Sequence, residues 1–432
     1  MLANPPLVCR EDEQKGSHMT QRTVVAGRLP TTFTALRYPN YRRWFIGQVL
    51  SLMGTWMQGV AQGWLVYEMT GSRLALGTIS FVSSLPTLFF MLPAGAVADR
   101  TSRRNMMLVT QTVMMIGAFI LALFTGTKTL QVWYIAVIGF VLGIANAFDS
   151  PARMALTVEL IEDRRDLQNA IALNSTMFNL ARVVGPAIGG LILAAVGATW
   201  CFVLNGLSFV AVLIALAGMR LNETAKPPRT RHFAAEIGDG LRYVWDTKAV
   251  RALVAMVAIM SIFGFSYAVL MPAYAVDVLG VGEAGLGVLT AAVGGGALVG
   301  SLTVASLTRS RRKGWQLTFG SLLFPISLIG FAYSRSFLLS IIILVFVGFG
   351  FIIQNTTGNT LVQALVPDEL RGRVMSVYSL MFMGAMPIGS LLAGTLAEAY
   401  GTTPTIVFGA LVTLAFAVYT LIFQPQVRQL EG

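Results

Sequence analysis

The sequence predicts an all-α membrane protein with twelve transmembrane helices arranged as two six-helix, pseudo-symmetric halves. Three observations carry that prediction. The composition is too apolar for a water-soluble fold, apolar runs of bilayer length follow one another with basic residues confined to alternate loops, and the second half of the chain repeats the first. Of 432 residues, 55% are hydrophobic and 12% are charged, with a mean hydropathy of +0.69; a soluble chain carries about 25% charged residues. At roughly 20 apolar residues per span, little length remains for a soluble domain.

The first six spans fall at about 43–67, 74–98, 105–127, 130–157, 167–195 and 198–219. A polar stretch with Pro227, Pro228 and seven basic residues from Arg220 to Arg251 follows. Six further spans fall at about 252–276, 284–308, 315–334, 336–358, 374–397 and 404–423. The expected organisation is a cytoplasmic N-terminal tail (1–40), a first half (41–219), a cytoplasmic central loop (220–250), a second half (251–424) and a cytoplasmic C-terminal tail (425–432). Residues 1–19 stand apart, because Gly16-Ser17-His18-Met19 resembles a cloning remnant with Met19 as an alternative start, and no fold argument uses them. The first 40 residues lack the apolar core of a signal peptide, so insertion is expected to begin with span one.

The net charge of +11 raises the question of nucleic-acid binding, and the distribution answers it. With the N-terminus placed in the cytoplasm, the N-tail, even-numbered loops and C-tail hold 27 of the 31 Lys and Arg. The opposite side holds Arg73, Lys128 and Arg335, and Arg182 lies within a span. This is the positive-inside pattern of a membrane topology with both termini cytoplasmic, and it spreads the charge over short loops instead of gathering it in a groove. Cys9 and Cys201 do not make a disulfide framework.

The halves repeat in order. Leu36-Arg37-Tyr38 recurs as Leu241-Arg242-Tyr243, and Leu156, Leu160 and Asp163 recur as Leu361, Leu365 and Asp368, both at a shift of 205. In spans five and eleven the shift is 204, carrying Phe178, Gly185, Gly190 and Gly197 onto Phe382, Gly389, Gly394 and Gly401. The small-residue ridge Ala181, Gly185, Gly189 maps onto Ala385, Gly389, Ala393, so the two spans should be close-packing elements at related positions.

Chemistry-bearing residues appear in four places. Span one carries Trp56, Gln58, Gln62 and Trp64, and span five carries Asn174 and Asn179. These amides and indoles suit either a central cavity for an amphipathic molecule or bonding between helices. The loop after span two reads Gly95-Ala96-Val97-Ala98-Asp99-Arg100-Thr101-Ser102-Arg103-Arg104. Its counterpart, Arg309-Ser310-Arg311-Arg312-Lys313, keeps the charge without the Gly and Asp. In span four, Asp149 stands one helical turn before Arg153, placed either to accept a proton or to pair with Arg153 or the Arg103 region. Span five contains Arg182 near the bilayer midplane, where an ionisable residue faces a cavity or a partner, placed either to bind an anionic group or to tune a nearby protonation site. It also contains Gly185-Pro186-Ala187-Ile188-Gly189-Gly190, whose proline bends the helix and whose glycines permit close approach. There is no GxxxxGK[ST] phosphate loop, no His within a span, no metal site and no nucleophile–base arrangement, so neither an enzyme nor a cofactor is expected.

The loop from Gly95 to Arg104 resembles the signature loop of the major facilitator superfamily. There, Gly95, Asp99, Arg100, Arg103 and Arg104 would latch the halves in the outward-facing state. The Gly185, Pro186, Gly189 and Gly190 run resembles the motif of that superfamily's proton-driven exporters, with Ala181 standing where the pattern begins with Gly. From Phe33 to Gly190, including Asn146-Ala147-Phe148-Asp149-Ser150-Pro151-Ala152-Arg153, the chain resembles the enterobactin-exporter-like branch. That resemblance implies a monomeric exporter in the bacterial inner membrane, working on a small amphipathic drug, siderophore or metabolite, with protons and membrane lipid as its other partners. The alternatives are a lysophospholipid or lipid flippase of the same fold and a non-transporting membrane sensor.

Overall fold

A computed structural model describes residues 31–219, 233–307 and 312–428. Among them every regular element is helical, as hydrocarbon requires of a chain whose backbone groups must be satisfied within each segment. The first half comprises α1 (Pro39–Thr70), α2 (Arg73–Arg100), α3 (Arg103–Gly126), α4 (Val132–Glu159), α5 (Arg164–Val196) and α6 (Ala198–Ala217). A short helix, α7 (Phe233–Asp246), precedes the second half. That half comprises α8 (Lys248–Asp277), α9 (Glu283–Ser306), α10 (Lys313–Tyr333), α11 (Phe337–Leu365), α12 (Asp368–Tyr400) and α13 (Thr402–Phe423).

Among the described residues, 11 helices are long and apolar enough to cross a membrane. The twelfth span is α1, 32 residues long and more polar than the rest. Its polar side chains turn inward: Gln48, Ser51 and Gln58 are buried. Asn205 Nδ2 of α6 donates to Gln58 Oε1 at 2.6 Å, so an amide that would be unfavourable against lipid becomes a tie between helices.

In lipid, helices gain no hydrophobic advantage from meeting each other, so close packing must supply the attraction and small residues must permit it. A Cβ on Gly350 of α11 would stand 2.7 Å from the Phe324 amide of α10. Gly296 of α9 seats the Val345 carbonyl of α11, and Gly348 of α11 seats the Val293 carbonyl of α9. In the first half Gly47 and Gly54 seat α1 against Ala211 and Asn205 of α6.

Both α8 and α12 contain a π-helical turn, Met260–Gly264 and Leu380–Gly384 respectively. Their first-half counterparts α1 and α5 are α-helical throughout.

The stretch expected to be a central loop contains α7, docked on the second half. Arg373 of α12 pairs with Asp239 at 2.7 Å, and Gly240 lies against the Arg373 carbonyl, 2.7 Å from a Cβ placed there. At 14 residues the helix is too short to span a bilayer, which is why a search for bilayer-length apolar runs passes over it.

Gly348→Val should push α9 and α11 apart and lower stability by about 1–3 kcal/mol, read as a fall in thermal midpoint of the detergent-solubilised protein. An unchanged midpoint would mean that the α9–α11 crossing is not a tight one.

Candidate functional site

The halves meet through two crossings related by the internal repeat. In one, Gly77 of α2 faces Gly394 of α12; in the other, Gly287 of α9 faces Gly190 of α5. A Cβ on Gly394 would stand 2.7 Å from the Gly77 Cα and 2.9 Å from the Arg73 carbonyl. A Cβ on Gly190 would stand 2.7 Å from the Gly287 Cα and 2.9 Å from the Glu283 carbonyl. The same contact is thus made twice, and only hydrogen side chains allow it.

One crossing carries a polar seal in addition. Glu398, one turn beyond Gly394, accepts from the backbone N–H of Arg73 at 2.8 Å and of Leu74 at 3.0 Å, and from Ser72 Oγ at 3.1 Å. Ser72 Oγ in turn accepts from the Ala75 N–H at 3.1 Å. The open donors at the start of α2 are therefore met partly by a carboxylate from the other half, placed where the helix dipole favours negative charge. Arg73 donates to Asp277 Oδ2 at 2.5 Å and through Nε to Thr402 Oγ1 at 2.9 Å, and Tyr67 donates to Asp277 at 2.6 Å. Ser80 and Ser390 extend the seam inward at 3.1 Å.

At the other, arginine-rich end, the ion pairs shown among the described residues lie inside each half. Arg37 pairs with Asp166 at 2.6 Å, Arg103 with Glu159, and Arg373 with Asp239. Arg104 donates to the Leu216 and Ala217 carbonyls at 2.6 and 3.0 Å, capping the end of α6.

Between the two ends lies Arg182 of α5. Its guanidinium carbon is 5.8 Å from the Trp56 ring of α1 and 5.3 Å from the Phe351 ring of α11, so it bridges the halves by cation–π contact. Gly294 of α9 packs on its backbone, with a Cβ there 2.7 Å from the Arg182 carbonyl. Phe351 is edge-on to Phe265 at 5.1 Å and stacked with Phe382 at 6.5 Å, and Trp56 is edge-on to Phe178 at 6.0 Å. The site is a cation set among rings from both halves.

The remaining sequence candidates are distributed as follows. Gly185 and Gly189 seat α1, against Met53 and Met57, whereas Gly190 and the Pro186 carbonyl face Gly287 of the other half. Their counterpart Gly389 seats α8 at Ile262, so the two ridges occupy related positions. Gly95 has open space around its Cα, and the side chains of Asp99 and Arg100 lie outside the described residues, as do 309–311 of the counterpart loop. Asp149 is buried. It accepts from Thr110 Oγ1 at 3.0 Å and Gln111 Nε2 at 2.9 Å, with Arg153 at 3.7 Å. Asn174 donates to Thr157 Oγ1 at 2.8 Å and lies 3.4 Å from the Tyr41 hydroxyl, joining α1, α4 and α5. Asn179 donates back to the Ser175 carbonyl at 2.9 Å. Gln62 lies toward Gly139 of α4, its Nε2 3.8 Å from a Cβ placed there. Of the proposed cavity residues, Trp56 is the one whose contact with Arg182 is shown, while Gln58 and Asn174 tie helices together.

Sequence reasoning misses Glu398, Asp277 and Glu159. One signal is available for the first two: Arg73 is among the three basic residues on the sparsely charged side, where an isolated cation calls for a partner.

A twelve-span bundle of two related halves, meeting at paired glycine crossings around a central cation, defines a transporter of the major facilitator type. Residues 30–431 match the family described as transmembrane secretion effector, and the chain belongs to that family. It is 29% identical to the multidrug efflux pump Tap of Mycolicibacterium fortuitum, over 86% of this chain and 92% of the relative. It is 26% identical to the staphyloferrin A transporter of Staphylococcus aureus, over 84% and 90%. It is 25% identical to the enterobactin exporter EntS of Shigella flexneri, over 83% and 85%. Two solved structures share the fold at low identity. A point mutant of the nucleoside transporter NupG superposes with a TM-score of 0.75 at 12% identity, covering 88% of this chain and 99% of that one. A bacterial homologue of the human lysosomal transporter Spinster, inward-facing and occupied, gives 0.72 at 14% identity, covering 91% and 98%.

Glu398→Gln should weaken the seal. Losing a charged cap of about 1 kcal/mol shifts the closed population about fivefold. The readout is maleimide labelling of a cysteine introduced at Ser80 in a background without Cys9 and Cys201; an unchanged labelling rate would show that the carboxylate does not hold that end shut.

Proposed function

We propose that the protein is a proton-coupled exporter of small amphipathic molecules, working as a monomer by alternating access in a bacterial inner membrane. One observation carries this reading. Among the described residues, the bonds and crossings between the halves run from the sparsely charged end to the centre, whereas the ion pairs Arg37–Asp166, Arg103–Glu159 and Arg373–Asp239 each hold one half together. A protein whose halves rock about such a seam exposes its centre to one side at a time.

The positive-inside rule puts the arginine-rich end, and both termini, in the cytoplasm. In that orientation the contacts of Glu398, Arg73 and Asp277 close the outward end, which supports reading the arrangement as inward-facing. Opening outward requires those bonds to break while the arginine-rich ends come together, and the loop bearing Asp99, Arg100, Arg103 and Arg104 then reaches the second half. Arg103 and Arg104 are tied into α4 and α6 of their own half, which fixes the loop as a rigid edge of it. The multidrug efflux pump and the enterobactin exporter named above support outward transport of drugs, siderophores or similar metabolites.

The test uses purified protein in proteoliposomes under an imposed pH gradient, with lumenal pH recorded as amphipathic dyes, siderophores and lysolipids are added. Proton movement triggered by a solute is expected. Folded, inserted protein that moves neither protons nor solute would overturn the exporter reading. In the same assay Asp99→Asn should lower transport severalfold at unchanged insertion, through loss of a charge-assisted contact; a wild-type rate would remove the latch.

A further inference from the structure

Arg182 differs from the other interior charges. Asp149 is met by Thr110, Gln111 and Arg153, and Arg103 by Glu159. Among the described residues no carboxylate pairs with Arg182 and none of its N–H groups has a hydrogen-bond acceptor; its cation–π contacts are the faces of Trp56 and Phe351, and the buried Tyr267 phenol is also close enough to interact with its charge. A guanidinium offers five donors in a planar fork suited to paired oxygens, and rings satisfy none of them. Holding such a group at mid-bilayer is costly and marks a site of function.

A second unsatisfied donor stands close by in the fold. Asn355 is one turn from Phe351 on the same face of α11, and its buried Nδ2 has no acceptor. The surroundings are aromatic, and two of the rings are supplied by backbone irregularities. Phe265 ends the π-turn of α8 and Phe382 lies within the π-turn of α12. An inserted residue of this kind redirects the side chains around it, and such turns concentrate at functional sites. Arg182 is half-buried and touches a ring from each half, so it stands at the junction of the two.

We infer that Arg182 is the anion-binding residue of the transport site, and that the cargo is an organic anion whose charged group is carried on a flat aromatic body. The guanidinium takes the carboxylate, sulfonate or ionised phenol, Asn355 donates to a further oxygen, and Trp56, Phe265, Phe351 and Phe382 cover the rings. A cationic solute of the same shape meets a like charge and is disfavoured. This rests on the transporter reading and adds the charge of what is carried.

Two dyes sharing a xanthene ring system test it: fluorescein, an anion, and tetramethylrhodamine methyl ester, a cation. Each is titrated by fluorescence anisotropy against the full chain in lipid nanodiscs. The wild type should prefer fluorescein. Arg182→Gln should weaken fluorescein binding about tenfold or more, as loss of a charge-assisted hydrogen bond does, and leave the cationic dye unchanged or tighter; Arg182→Lys should recover part of the loss. No fluorescein binding by the wild type, equal affinity for both dyes, or unchanged fluorescein affinity in Arg182→Gln overturns the assignment. If Arg182→Gln does not purify as a single species, displacement of fluorescein from the wild type decides: benzoate should compete and benzamidinium should not, and the reverse order overturns the site. Gradient-driven dye flux separates the two readings. Anion binding without flux keeps the site and removes the exporter, whereas flux of the cationic dye without anion binding does the opposite.

Discussion

Backbone-to-backbone contact at four glycines is the constraint on which the arrangement of the halves depends. Nothing in lipid pushes two six-helix bundles together, so they must find dispersion contact at van der Waals range over a surface that also has to part. Gly77 on Gly394 and Gly287 on Gly190 meet that demand, each opposing a carbonyl one turn away. The internal repeat relates the two contacts, so the halves meet through the same backbone packing twice. A side chain at any of the four would separate the helices and pre-empt the movement.

On this symmetric frame the chemistry is asymmetric. Only the α2–α12 crossing carries the carboxylate, Glu398; the 204-residue shift places Ala194 at the matching position of α5. Asp149 of α4 corresponds by the 205-residue shift to Gln354 of α11, so one half has a buried charge met by three groups and the other a buried amide whose Oε1 has no partner. The π-turns occur in α8 and α12 and not in α1 and α5. The first half supplies the cation and the second half supplies most of the rings around it. Duplication explains the scaffold, and divergence of single residues explains why its two halves carry different chemistry.

The sequence made the scaffold legible because its determinants are local and repeated. Span length, charge asymmetry and the 204–205 shift each average over many residues, so the twelve spans and the ridge at Gly185 and Gly189 could be read without coordinates. Arg182 could be singled out because a charge at mid-span is costly whatever surrounds it. The partners of these residues were not legible. Glu398 reaches Arg73 across 325 residues, and no periodicity encodes a contact between rigid bodies. Gln58 and Gln62 share a helix face by spacing, yet one is tied to Asn205 and the other turns toward Gly139, because neighbouring helices decide what a shared face meets. The π-turns leave no mark in hydropathy at all, since an inserted residue disturbs hydrogen bonding and not composition.

The position of Arg182 also bears on why an empty carrier should not cycle freely. It lies eight residues from Gly190 on α5, about 12 Å along a continuous helix, so the cation and the crossing move as one rod. Wherever water reaches the centre, hydration of the guanidinium adds to its contacts with Trp56 and Phe351. Closing both ends removes that water and leaves a lone cation in a low-dielectric enclosure, at an effective cost of several kcal/mol. An anion lying on the guanidinium cancels most of that cost and replaces the lost hydration with charge-assisted bonds. On the proposed reading, a carrier loaded with an anion therefore passes through the occluded state more readily than an empty one.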